Sequence, residues 1–209
     1  SKGLFIAEQS QKKNSEARIR DYFATYYFEK GDYLNCSNEL FKVIELAKET
    51  NDSILYFNSL GNLGLLYEKT GQYEKALVSY IKLYNLYTSI NNNVISLPLL
   101  INISGVLLQS DKFDEALAYS IKANDIAIQR DEKFYKVITL QQIGHCYSEI
   151  KDFSKALLYY DKALNESKKQ SSEMQGTKIY YNIGKTYFLL NDFTQCIFYI
   201  NKHINICKK

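Results

Sequence analysis

Residues 61–80 read GNLGLLYEKTGQYEKALVSY; residues 105–120 read GVLLQSDKFDEALAYS, and residues 144–160 GHCYSEIKDFSKALLYY. With the aromatic after the central turn as a marker, Tyr33, Tyr73, Phe113, Phe153 and Phe193 each stand forty residues from the next. Nine residues before it come Ala24, Gly64, Ser104, Gly144 and Gly184, all small. Six before it come Tyr27, Tyr67, Leu107, Tyr147 and Tyr187, all large, and three after it Cys36, Ala76, Ala116, Ala156 and Cys196, small again. Columns held in register at a fixed period mark a repeat architecture, in which each copy is one supersecondary unit.

Inside a copy the pattern is helical. Apolar or aromatic residues fall at 54, 57, 60, 63 and 67, and after the turn at 76, 77, 80, 83, 84 and 87. These spacings of three and four place one stripe on a helix. Between the stripes lie Gly31-Asp32, Gly71-Gln72, Asp111-Lys112, Lys151-Asp152 and Asn191-Asp192. Gly and Asn tolerate the left-handed conformation that ends a helix. Each copy is therefore expected to be a helix, a tight turn and an antiparallel helix. The small column lets the two helices approach, and the large column is expected to fill the space between neighbouring copies. A helix pair cannot bury both faces alone, so copies must stack.

The bulk properties agree. The 209 residues are 46% hydrophobic and 23% charged, a folded and not a disordered balance. One proline, no tryptophan and nine glycines leave few helix breakers. A formal charge of +3 gives no reason to expect nucleic acid or an acidic membrane as partner of this segment. No apolar run is long enough to span a bilayer.

The succession small residue, Tyr, Gly-Gln-Tyr, Ala, Tyr, as in Leu63-Gly64, Tyr67, Gly71-Gln72-Tyr73, Ala76 and Tyr80, resembles the tetratricopeptide repeat. The resemblance covers nearly the whole chain. It implies an all-α fold, a right-handed superhelical solenoid of antiparallel helix pairs that binds peptides or proteins. The family's usual copy has about 34 residues. The longer copy here is expected to extend both helices to about 16–18 residues, roughly 25 Å. Forty-residue versions are similar to those of bacterial peptide-sensing regulators of the Rap and PlcR type, the animal polarity adaptor LGN, and sensor proteins of Bacteroidetes.

The expected organisation is one continuous solenoid: the end of a preceding repeat helix at 1–13, then repeats at 14–52, 53–92, 93–132, 133–172 and 173–209. Leu4, Ile6 and Ala7 fall in the columns of Ile44, Leu46 and Ala47, and Ile204, Ile206 and Cys207 in those same columns at the other end. The chain thus reads as a segment cut from a longer array or larger regulatory or signalling protein. The alternative is a small protein whose open ends self-associate. Ser96-Leu97-Pro98 can start a helix with Ser96 as its cap, after a longer loop at Asn91-Asn92-Asn93. The first helix of the third copy should therefore begin late.

Nothing supports catalysis or a cofactor. Cys36, Cys146, Cys196 and Cys207 have no C-x-x-C spacing, so no zinc site is expected. They read as buried inert thiols in a reducing, cytoplasmic compartment. An extracytoplasmic sensor region of a membrane protein is the alternative. His203 falls in a packing column, and no phosphate loop or nucleophile elbow is present.

What remains is a binding surface. By the resemblance, the first helix of each pair lines a concave groove. The residue two before the small one is Tyr22, then Asn62, Asn102, Gln142 and Asn182. An amide offers an acceptor and two donors, matching a peptide unit. A ladder of amides can hold an extended backbone while pockets between the rungs select side chains. Equally, such amides can bond to the neighbouring helix. The same face carries Arg18, Asp21, Thr25 and Glu29, then Leu65, Glu68 and Lys69, then Ile101, Gly105 and Gln109. It continues with Gln141, His145 and Glu149, then Lys178, Tyr181, Lys185 and Phe188. Lys178 and Lys185 could meet a carboxylate. The family's clamp for chaperone tails is not matched, since Leu65 and Ile101 stand where it needs basic and polar groups. Ile101 and Gly105 suggest an open, apolar anchor pocket.

Overall fold

The computed structural model describes residues 2–9, 12–89, 96–169 and 173–208. Among them are eleven helices and no strand: α1 (Lys2–Gln9), α2 (Lys13–Glu29), α3 (Tyr33–Glu49), α4 (Ser53–Lys69), α5 (Tyr73–Ser89), α6 (Leu97–Gln109), α7 (Phe113–Gln129), α8 (Lys133–Glu149), α9 (Phe153–Lys169), α10 (Glu173–Leu189) and α11 (Phe193–Cys207). Eight of these helices have 17 residues, the length the forty-residue period calls for. The chain forms two compact units, residues 1–95 and 96–209. In the first, α2 packs on α3 and α4 on α5, with α1 against α2 and α3 against α4. In the second, the pairs are α6/α7, α8/α9 and α10/α11, joined by α7 on α8 and α9 on α10.

The turns inside the pairs are built alike. In the first, Gly31 N–H donates to Phe28 O and Asp32 N–H to Tyr27 O. That is a Schellman closure, which satisfies carbonyls at a helix end and requires a left-handed residue. Gly71, Asp111, Lys151 and Asn191 repeat it, all at φ between +57° and +72°. Asn51 and Asp131 do the same between copies. The residue that closes one helix often starts the next. The carboxylates of Asp32, Asp52, Asp152 and Asp192 accept the backbone N–H three residues on. Lys151 at φ +67° is the unexpected member, since a side chain there crowds the following carbonyl. Lys151→Gly is expected to raise stability by about 0.5–1 kcal/mol, read as a higher urea midpoint at unchanged slope. No gain would mean that the turn carries no strain.

The small column is where paired helices meet. A Cβ at Gly64 would lie 2.4 Å from the Tyr80 ring, and one at Gly144 2.7 Å from the Tyr160 ring. Both rings are fully buried. In the third copy Ser104 donates to Ala116 O at 2.9 Å and lies 2.6 Å from Ser120 Oγ. The large column serves its own pair and the seam between copies alike: Tyr147 and Tyr187 pack against the cluster that joins the fourth and fifth copies. Tyr147 stacks on Tyr159, and Tyr187 on Tyr199, each within its own pair. The rest of the inter-copy space is filled by aliphatic residues such as Val43, Ala47 and Leu55, or Ala163, Leu164, Ile179 and Ile183.

α6 starts late, at Leu97, and has 13 residues. Pro98 sits in its first turn, and Ser96 holds the cap position without the expected side-chain hydrogen bond. The loop expected at Asn91–Asn93 lies outside the described residues, as does the Leu4 side chain. α1 reproduces the end of a second helix: Lys12 N–H donates to Ala7 O just as Asp52 N–H does to Ala47 O. Ala7 is buried.

Candidate functional site

In unit 2 the first helices of successive pairs touch, α6 with α8 and α8 with α10. They enclose a pocket of about 200 Å³ lined by Gly105, Leu108, Gln109, Gln141, Gln142, His145, Lys178 and Asn182. All but Leu108 were candidates from the sequence. The pocket exists at Gly105 because a side chain there would meet only Gln142 Nε2, at 3.9 Å. It is not the apolar anchor pocket expected. α8 and α10 wall it with amides, an imidazole and an ammonium, and Ile101 is not in its lining. Gln142 Nε2 donates to Ile101 O at 3.0 Å, so this amide bonds to the neighbouring helix, and its Oε1 is buried with no partner.

The charges around the pocket are unequal. Glu149 Oε1 accepts from Lys185 Nζ at 3.1 Å and lies 3.3 Å from His145 Nε2. Lys185 is therefore not the open cation that the sequence suggested. Lys178 has no ion pair among the described residues and is exposed. Burial is the main cause that lowers the His145 pKa; Lys185 and Lys178 lower it further, against the opposing pull of Glu149. His145 is thus neutral near pH 7. Tyr181 is half exposed, with its ring 5.6 Å from that of His203. His203 Nδ1 in turn lies 3.0 Å from Thr177 O, a structural contact within the last pair.

In unit 1 the candidates lie on α2 and α4. Tyr22 is 79% exposed, Leu65 is 42% exposed, and Asn62 and Lys69 are also open. Arg18 pairs with Asp52 at 3.6 Å. Glu68 accepts from the Tyr80 hydroxyl at 3.1 Å and so serves the helix pair. Asp21 Oδ1 is buried without a partner, and burial raises its pKa. A separate open hollow of about 580 Å³ runs along α5, lined by Leu77, Val78, Ile81, Lys82, Asn85 and Leu86, and was not expected from the sequence. Its lining is mainly apolar, with Lys82 and Asn85 as its polar members.

Cys36 and Cys146 are the buried thiols expected, and burial pushes each up to about 11. Cys196 is half-buried and Cys207 exposed, which the uniform expectation missed. Both lie on α11, whose residues are nowhere fully buried. Among the described residues there is no cluster of metal-ligating side chains, and no helix is long and apolar enough to cross a membrane.

Family models of the tetratricopeptide repeat match residues 96–166 and, with a second model, residues 57–89 and 177–209. Together they cover about two thirds of the chain, in register with the helix pairs. The chain belongs to the tetratricopeptide repeat family. Tetratricopeptide repeats are protein-interaction modules, and the fold is generally non-catalytic. No curated protein sequence matches the chain significantly. Among solved structures, BtubC (BKLC) from P. vanneervenii is similar with a TM-score of 0.81 at 16% identity, over 99% of this chain and 87% of that one. The apo form of RapI gives 0.83 at 17%, over 92% and 70%. A Rap protein complexed with Competence and Sporulation Factor gives 0.75 at 15%, over 93% of this tetratricopeptide repeat chain and 54% of that one. At these identities the likeness is one of fold.

Proposed function

We propose that this chain is a peptide- or partner-binding module, holding an extended segment against the first helices of its repeats, as the sensing or scaffolding part of a larger regulatory or signalling protein. The observation that carries the reading is the convergence of Gln109, Gln141, Gln142, His145, Lys178 and Asn182 on one pocket across three consecutive first helices. Concave pockets with a few converging polar groups are general candidates for ligand sites. The side chains of Asn62 and Asn182 make no hydrogen bond among the described residues, which leaves their donors and acceptors for a backbone. A similar fold, that of the Rap protein, was solved with Competence and Sporulation Factor in complex.

The amides divide into two roles. Gln142 holds Ile101 and serves the stack; Asn62 and Asn182 serve the ligand. A selection of random twelve-residue peptides against the purified chain provides ligands for the test. Asn62→Ala should weaken selected peptides that seat on unit 1, and Asn182→Ala those that seat on unit 2, each about 3–10-fold, the worth of one net hydrogen bond, at unchanged melting temperature. Gln142→Ala should lower the melting temperature. Affinities unchanged by both Asn variants would favour a passive scaffold that docks folded partners or further copies elsewhere.

A further inference from the structure

We propose that the unit 2 pocket is an acid-selective subsite: it takes the side-chain carboxylate of an Asp or Glu within the bound segment, with Lys178 as its counter-charge. The proposal rests on the peptide-binding reading above and adds what the segment must carry.

Three observations point the same way. The first is size. About 200 Å³ is below the roughly 300–1,000 Å³ of pockets that hold a whole small molecule, so one side chain is the fitting occupant. The second is charge. Glu149, the acid beside His145, is compensated by Lys185 at 3.1 Å through the same oxygen that faces His145 at 3.3 Å. It leaves the Lys178 ammonium uncancelled on the pocket wall. The third is the character of the remaining wall. Gln109, Gln141 and Asn182 carry amide N–H groups, donors that suit a carboxylate's several acceptor positions. Nothing in the lining offers an acid that would prefer a basic guest.

The carboxylate belongs to a side chain and not to a chain end. The pocket is walled by α6, α8 and α10 in succession, so a segment lying across these helices passes over it. Gly105 borders the pocket without a side chain, and a Cβ there would meet only Gln142 Nε2, at 3.9 Å, with no backbone in the way.

The test uses the same twelve-residue library, displayed with both peptide ends blocked by fusion. Selection on the wild-type chain should enrich Asp or Glu at one fixed position. Synthetic, C-terminally amidated copies of those peptides should lose at least ten-fold in affinity for Lys178→Gln and keep most of it for Lys178→Arg. Gly105→Leu, which fills the pocket and leaves every charge in place, should cause a similar loss. Selection on Lys178→Glu should shift the enriched position to Lys or Arg. Selected peptides with no acidic preference, or with equal affinity for Lys178→Gln, would overturn the subsite and leave the binding module standing. Binding that returns only with a free C-terminal carboxylate would overturn it too. A selection that yields no binder would overturn both.

Discussion

Gly64→Ala is expected to destabilise the chain by about 2 kcal/mol, and adding Tyr80→Leu to recover most of that loss. In an exposed helix Gly→Ala would gain about 1 kcal/mol of helix propensity. Here the new Cβ would stand 2.4 Å from Tyr80 Cε1 and 2.6 Å from Cδ1. The ring has nowhere to go: Tyr80 is 1% exposed, and its hydroxyl is tied to Glu68. Overpacking of this kind costs about 1–3 kcal/mol, occasionally more, and exceeds the propensity gain. Tyr80→Leu alone opens a cavity and should cost about 2–3 kcal/mol. The double variant places Ala opposite Leu, the pair the chain already uses in its first copy. Ala24 and Leu40 occupy the same two columns and are 2% and 1% exposed. It should therefore stay within about 1 kcal/mol of the parent, a coupling well beyond additivity. Urea unfolding of the four chains decides it. Losses that simply add would mean that the two columns do not pack as one unit.

The same pairing shows where the sequence could be read and where it could not. A period of forty, five small residues and a lone proline were enough to place the helix pairs, their length and the late start of α6. They identify which residues lie on one face of one helix. They do not say what the face meets. The residue opposite each small one lies sixteen positions on, as Leu40, Tyr80, Ser120, Tyr160 and Ile200. Its size varies to complement the small partner, which a search for repeated residue types cannot see. The site behaves likewise. That Gly105 and Lys178 lie on the same face of their first helices follows from periodicity. That Glu149 neutralises Lys185 depends on a contact between copies, thirty-six residues apart. The apolar pocket expected from Ile101 and Gly105 is polar because its far walls belong to α8 and α10.

Glu39→Ala is expected to cost about 2 kcal/mol, whereas replacing Glu39 together with its partner should leave stability within about 1 kcal/mol of the parent. Arg20 occupies the column of Leu60, Leu100 and Leu140 and is 8% exposed. Its guanidinium holds Glu16 at 2.7 Å and Glu39 at 2.9 Å, and Glu39 also reaches Lys42 at 3.2 Å. Burial disfavours the Arg20 charge, but hydrogen bonds to both carboxylates outweigh it and raise its pKa. Arginine stays protonated under any condition the fold survives. Removing Glu39 therefore takes one carboxylate away from a buried cation, and that asymmetry is what makes one-sided removal costly. Arg20→Leu/Glu39→Tyr removes the charge as well. It copies the fourth copy, where Leu140 and Tyr159 share one apolar cluster. Glu16 then keeps a favourable place in the first turn of α2, and the half-exposed Lys42 returns to water. Burying apolar groups where an ion pair stood is commonly neutral or better. A double variant as unstable as Glu39→Ala would mean that the charged cluster is required by the first copy and is not an interchangeable way of filling the same space.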